Sequence, residues 1–392
     1  MSYPLSSTSW GPEELAAIDK VVRSGRFTMG SEVRAFEEAF AEKFGVKHVA
    51  MVNSGSSANL VAVAALCYRG KRPLQRGDEV IVPAISWATT FHPLQQYGLK
   101  LRFVDVGLDT LNLDTTKLEK ACTKRTRMVV AVSILGNPAA LDVIRSFCDA
   151  RDLILFEDNC ESLGASLNGK LCGTFGDVNT FSTFYSHHIS TMEGGLVATD
   201  DTELDHLVRA IRNHGWARDV PADSPSPVLG TPHDDPFFEA YRFVVPGYNV
   251  RPLEFAGAVG LEQLKKLDRM LEIRRANAAH FRRLFAKDNR FIIQRENGSS
   301  SWFSFTLILN PELRLPRDRV MDALRRAGIE FRMITGGCFP RHQAIKYFNY
   351  AIVGGLRNAT LAHDCGFFVG NHPRDLTREL DELRQVLDTA CQ

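Results

Sequence analysis

The sequence predicts an α/β protein in which a large, mostly parallel sheet is covered by helices and a smaller α/β domain follows at the C-terminus. Three observations support this. Apolar strand-like runs alternate with helical periods over the first two hundred or so residues, the alternation breaks at a stretch rich in Pro, Ser, Gly and Asp, and 392 residues with 44% hydrophobic content can bury two cores. Strands separated by helices need crossover connections, which cover both faces of a parallel sheet. Residues 48–52 read as a strand before a helical run from Ser57. Strand 78–85 precedes helix 89–97, and strands 101–106 and 128–135 precede helix 141–150. Strands 153–157, 178–184 and 196–199 and helix 204–214 continue the order. Residues 219–236 form a loop long enough to suspect function. A helical pattern from Glu254 to about Phe285 bridges two domains, and 302–309, 317–327 and 329–334 read as strand, helix, strand. The expected division is 1–250 for the large domain and 251–392 for the smaller one.

Lys and Arg (47) nearly balance Asp and Glu (46), leaving a formal net charge of +1. The chain therefore has no electrostatic footprint for nucleic acid or an anionic membrane surface, and an anionic ligand must be caught locally. The first residues lack a basic start and an apolar core, and no apolar run approaches a membrane span, so a cytoplasmic protein is expected. Eight cysteines (Cys67, Cys122, Cys148, Cys160, Cys172, Cys338, Cys365 and Cys391) show no C-x-x-C spacing and read as free thiols. No H-E-x-x-H motif occurs and no metal site is expected. The absence of G-x-G-x-x-G after a strand argues against a nicotinamide dehydrogenase.

Several stations carry chemistry. Asn53-Ser-Gly-Ser-Ser-Ala-Asn59 follows a strand and opens a helix, so free backbone amides converge with the hydroxyls of Ser54, Ser56 and Ser57 on an anion site, or simply cap the helix. Trp87 is either a flat surface on which a ligand ring stacks or a packed core residue. Asp158 ends a buried apolar strand, where it can pair with a protonated ring nitrogen or cap a helix. The run from Phe181 to Gly195 holds His187 and His188 ahead of Glu193-Gly194-Gly195. Imidazole accepts and returns protons near neutral pH, although paired histidines also occur as structural polar residues. Each station is ambiguous alone. The ordered set of Gly55-Ser56, Trp87, Asp158, Ser182, His187 and Asn249 carries the argument.

With these residues in place, the chain resembles the DegT/DnrJ/EryC1/StrS sugar aminotransferases, from Phe27-Thr-Met-Gly30 through Phe367-Phe-Val-Gly-Asn-His372. The resemblance implies a type I aminotransferase fold, pyridoxal 5'-phosphate or pyridoxamine 5'-phosphate as cofactor, and a homodimer with shared active sites. Ordinary members carry a cofactor-linking lysine six residues before the Glu of Glu-Gly-Gly, where this chain has His187. By the same resemblance Gly55, Ser56 and Ser182 hold the phosphate, Trp87 stacks on the ring, and Asp158 faces its nitrogen. Glu161 stands near the ring hydroxyl, where most members have glutamine. Asn249 reaches the phosphate in the partner subunit. Ser186, His188, His214 and Glu330 are the implied substrate contacts, with His214 crossing the dimer interface. Ser186 and Glu330 read equally as an ordinary hydroxyl and a surface carboxylate.

Histidine in place of the lysine implies altered chemistry. The resemblance points to loss of the carbon 3 hydroxyl from GDP-4-keto-6-deoxy-D-mannose, with glutamate as amino donor and His187 as base, in colitose-type deoxysugar formation. Imidazole, with an unperturbed pKa of about 6.5, is better matched to neutral pH than lysine at about 10.4. A nucleotide-sugar aminotransferase would need lysine at position 187, and Lys170 lies too early to replace it. A CDP-sugar 3-dehydratase relying on an iron-sulfur reductase, and a non-catalytic cofactor-binding protein, are the other readings. The residues carry no code for the nucleotide base, and a shift of one position would exchange His187 and His188.

Overall fold

The expected alternation builds an eight-stranded sheet in the computed structural model, which describes residues 2–392. In chain order the strands are β1 (His48–Val52), β2 (Glu79–Pro83), β3 (Lys100–Val104), β4 (Thr126–Val132), β5 (Ile154–Asp158), a hairpin of β6 (Ser166–Leu167) and β7 (Lys170–Leu171), β8 (Val178–Ser182), β9 (Gly195–Thr199), β10 (Phe291–Ile292), β11 (Ser304–Leu309), β12 (Phe331–Arg332), β13 (Tyr350–Val353) and β14 (Gly366–Gly370). The large sheet runs β1-β9-β8-β5-β4-β2-β3-β13. Every residue of β2, β5, β8 and β9 is buried, as expected when helices cover both faces. β9 alone runs antiparallel, to β1 on one side and β8 on the other. Residues 183–194, which join β8 to β9, contain no crossover helix, so the chain can only reverse. That reversal holds both histidines of the pair.

The helix Glu254–Phe285 is a single element of 32 residues, about 48 Å long at 1.5 Å per residue. Its first half packs Leu264, Leu267, Met270 and Leu271 with Phe36, Phe40 and Phe181 of the large domain. Its second half packs Ala278, Phe281 and Phe285 into the C-terminal core with Phe305, Val369 and Leu383. There β10, β11, β14 and β12 form an antiparallel sheet.

The chain crosses the expected division at residue 250 from both sides. Tyr3 is buried in the C-terminal core and bridges Ile329. Strand β13 returns to the edge of the large sheet beside β3, and Ile334, Cys338, Phe339, Ala359 and Ala362 join the main core of the large domain. The expected strand 329–334 shortens to β12, because the chain turns at Ile334–Gly336 with Thr335 at φ +39°. Among the described residues, no helix is long and apolar enough to cross a membrane.

The glycines after Glu193 are required by contact. A Cβ on Gly194 would collide with the hydroxyls of Thr183 and Thr191, and one on Gly195 with the Ser54 carbonyl. Overpacking of this kind costs about 1–3 kcal/mol. Gly195→Ala is expected to lower unfolding stability by that amount in urea titrations, with weakened cofactor retention, because the backbone it displaces opens the Ser54-Gly55 turn.

Candidate active site

The site forms where the C-terminal ends of the parallel strands meet, the position at which open α/β sheets bind ligands. After β1, Ser54 caps the helix Gly55–Tyr68 by accepting the Ser57 amide at 3.1 Å. Gly55 lies so close to the end of β8 that a Cβ there would sit 2.6 Å from Cβ of Ser182 and 2.9 Å from Sγ of Cys160. The first amides of the helix therefore open on a cradle that also holds Ser56 and Ser182. Ser56 Oγ lies 2.9 Å from Thr89 Oγ1, on the helix that follows Trp87. Trp87 is 61% exposed, which removes the core-packing reading and leaves its ring free as a stacking surface.

Asp158 ends β5 buried and tightly held. Its Oδ2 accepts from Asn59 Nδ2 at 2.9 Å and from Thr90 Oγ1 at 2.7 Å, and its Oδ1 from the Cys160 amide at 3.2 Å. Asn59 is fixed in turn by Thr180, whose hydroxyl donates to its Oδ1 at 2.6 Å. These neutral donors fix the orientation of the carboxylate without supplying it an ionic partner. Glu161 accepts from the Leu135 amide at 2.9 Å and the Thr335 hydroxyl at 3.2 Å. Burial, together with the nearby Asp158 charge, raises its carboxyl from 4.5 to about 7.

His187 is half-buried, with its ring edge-on to Phe303 at 5.1 Å between centroids and to Phe184 at 5.9 Å. Its Nδ1 is buried without a partner, and Nε2 is bonded to nothing among the described residues. Burial lowers its pKa to about 3, with the charge of Arg274 as the second cause, so the ring is neutral and has a lone pair to offer. His188 corrects an expectation. It is 1% exposed, and its Nε2 lies 3.2 Å from the Ser301 carbonyl. Turned into the protein, it cannot touch a substrate in this conformation. Burial also drives its pKa well below the usual value.

Glu330 is exposed. Its carboxylate accepts the Leu5 amide at 3.0 Å and so ties down the N-terminal segment. Ser186 lies beside His187, partly exposed. His214 and Asn249 are exposed neighbours on one bridged segment, where the His214 amide donates to Tyr248 O and the Asn53 amide donates to Val250 O. Sequence reasoning missed Asn59, Thr90, Thr180, Thr335, Phe303 and Arg274. It also missed that Leu135 (φ +52°) and Trp302 (φ +47°) hold left-handed conformations beside the site. Such strain costs about 1–3 kcal/mol per residue and clusters at functional sites.

A helix-start anion cradle, a fixed buried carboxylate, an exposed indole and a neutral imidazole around one end of the sheet define a pyridoxal phosphate enzyme of aminotransferase fold, and these residues fit that cofactor. The chain belongs to the DegT/DnrJ/EryC1/StrS aminotransferase family, whose model matches residues 9–374. It is 48% identical over 99% of its length to GDP-4-keto-6-deoxy-D-mannose 3-dehydratase of Yersinia pseudotuberculosis, covering 98% of that protein. It superimposes on the Escherichia coli GDP-4-keto-6-deoxy-D-mannose-3-dehydratase structure with bound hydrated pyridoxal phosphate at a TM-score of 0.96, with 48% identity and 99% of each chain covered. A further GDP-4-keto-6-deoxymannose-3-dehydratase structure, holding a trapped pyridoxal phosphate–glutamate geminal diamine, matches at the same TM-score and identity, covering 98% of this chain and all of that one.

A carboxyl whose folded pKa is raised from 4.5 to about 7 contributes stability that is fully present below pH 4.5 and lost as pH rises through 7. Glu161→Gln removes this loss. The melting temperature of the variant relative to the parent is expected to increase from pH 5 to pH 8, as read by calorimetry of the apoprotein at both pH values.

Proposed function

We propose that this chain removes the carbon 3 hydroxyl of GDP-4-keto-6-deoxy-D-mannose, using pyridoxal phosphate and its amine form, with glutamate as amino donor. The observation that carries the reading is the half-buried imidazole of His187, its ring nitrogens unpartnered, at the position where the family's lysine stands beside the cofactor cradle. When bound, the cofactor supplies an electron sink conjugated to the sugar carbon that loses its hydroxyl. The chain's residues divide the remaining work. The first amides of the helix Gly55–Tyr68, with Ser56 and Ser182, would hold the phosphate, and Trp87 would cover the ring face. Asp158, fixed by Asn59 and Thr90, would keep the ring nitrogen protonated. Glu161, near neutrality, would hydrogen-bond the ring hydroxyl as donor or acceptor.

His187 would move the proton at Nε2, the nitrogen left open, and Ser186 would contact sugar or co-substrate beside it. Histidine cannot retain the cofactor covalently as lysine does, so both halves of the reaction would share one free base. The overall balance closes: glutamate supplies two electrons and its nitrogen and leaves as 2-oxoglutarate, the sugar loses one oxygen, and ammonia is released. The printed names of the relatives in Yersinia and Escherichia coli support the GDP sugar.

A homodimer is part of this reading. Asn249 and His214 are exposed, and Phe237, Phe238, Tyr241 and Phe243 are exposed on the adjoining segment. Apolar exposure on this scale marks an interaction surface. In that dimer Asn249 would complete the phosphate cradle of the partner subunit, and His214 would reach toward the partner's substrate.

Mass spectrometry of the purified protein with pyridoxal phosphate, glutamate and GDP-4-keto-6-deoxymannose should give the 3-deoxy product in proportion to glutamate, whereas a 4-amino sugar would make this an aminotransferase. His187→Asn is expected to lower turnover by about 10²–10⁴-fold, the usual contribution of a positioned base, while His188→Asn retains it. The reverse order would exchange their roles. His187→Lys should trap the cofactor on the chain, read as added mass after borohydride reduction. If the sites are shared, refolding Asn249→Ala together with His187→Asn should regain activity that neither variant has alone, through hybrid dimers with one intact site.

A further inference from the structure

Arg274 sits midway along the helix Glu254–Phe285, 3% exposed, and no carboxylate pairs with it among the described residues. Its Nη1 donates to the carbonyls of Asn371 at 2.6 Å and Phe303 at 3.2 Å, and its Nε is buried without a partner. Burial without an anion lowers its pKa to about 10. An unpaired buried guanidinium is costly, and an apolar side chain of similar length would be the more stable choice. The position of its contacts gives it a use. Phe303 is the wall against which His187 lies, and its amide donates to Leu135 O at 3.0 Å while the Leu135 amide holds Glu161. Asn371 closes the far side, donating to the carbonyls of Trp302 at 2.8 Å and Arg274 at 3.2 Å. The strained turn at Trp302 is thus gripped on both sides by Arg274 and Asn371.

We propose that Arg274 is a positioning residue for His187: through the Phe303 and Asn371 carbonyls it sets the aromatic wall of the imidazole, and its unpaired guanidinium places a positive charge behind the ring. This inference rests on the reading of His187 as the base. The titratable and charged groups around that point are His188 in the same segment, Arg274 and Arg275 on the long helix, Glu161 across Leu135, and His372 near Arg274. Of these, Arg274 is the charge that acts on His187, opposing its protonation. Burial is the larger cause of the lowered pKa, and the Arg274 charge adds to it in favouring the proton-accepting form.

The test compares Arg274→Met with Arg274→Lys by histidine NMR titration of the apoprotein and by the pH dependence of kcat. In Arg274→Met the His187 pKa should rise, while burial still holds it below the ordinary imidazole value, and the acid limb of kcat should move to higher pH. In Arg274→Lys, which keeps the charge but loses the two-carbonyl grip, the pKa should stay low while kcat falls about tenfold or more, the loss expected when a reacting group is misplaced. The ring-current shift that Phe303 imposes on His187 should change in both. An unmoved His187 pKa in Arg274→Met, or an unchanged kcat in Arg274→Lys, overturns the proposal. Should Arg274→Met fail to fold, Arg274→Lys decides through kcat and the His187 ring shift. The NMR titration needs no substrate, so a wrong assignment of the reaction leaves it readable and is told apart from a wrong assignment of Arg274.

Discussion

The active site depends on how closely three stretches of backbone approach one another at one end of the sheet. Ser54-Gly55, the end of β8 at Ser182, and the start of β9 at Gly195 pack without room for a Cβ at either glycine. That contact aims the first amides of the helix Gly55–Tyr68 at the space beside β5, and it fixes where the reversal 183–194 begins and ends. The histidines lie on that reversal. A methyl group at either glycine would move the anion cradle and the base together.

From this approach the rest of the site follows by hydrogen bonding rather than by ion pairing. Asp158 is held by an amide, a hydroxyl and a backbone N–H, and Glu161 by a backbone N–H and a hydroxyl. Neutral donors orient a carboxylate without neutralising it. The site therefore holds one carboxylate fixed in orientation and, in Glu161, one group close to its titration point. The same economy appears on the cationic side, where Arg274 meets carbonyl oxygens and no acid.

The alternation of strands and helices was legible because each element is long and apolar enough to show its period, and the helix Glu254–Phe285 ends where its pattern ends. Asp158 and His187 were legible because one terminates a buried run and the other stands in a motif with fixed spacing. The partners of Asp158 were not, since Asn59 and Thr90 lie 99 and 68 residues away and nothing local marks them. Which of His187 and His188 is the more exposed was not legible, because neighbouring residues differ only in which way the chain turns. Leu135 and Trp302 hold left-handed backbone without the glycine or asparagine that would signal it. Arg274, beside Arg275 on a helix, looks in sequence like part of a solvated face. The return of β13 to the large sheet depends on tertiary packing, and a strand of four residues with only Val353 buried carries little pattern.

Imidazole at position 187 makes occupancy of the site a matter of mass action. A lysine retains its cofactor through a bond, whereas this chain must hold both cofactor forms by contact alone. The folded state is then stabilised by RT ln(1 + [L]/Kd), about 2.7 kcal/mol at a hundredfold excess over Kd, and it loses that support when free cofactor is depleted. The amount of working protein is thereby tied to the cellular supply of the vitamin-derived cofactor as well as to synthesis of the chain.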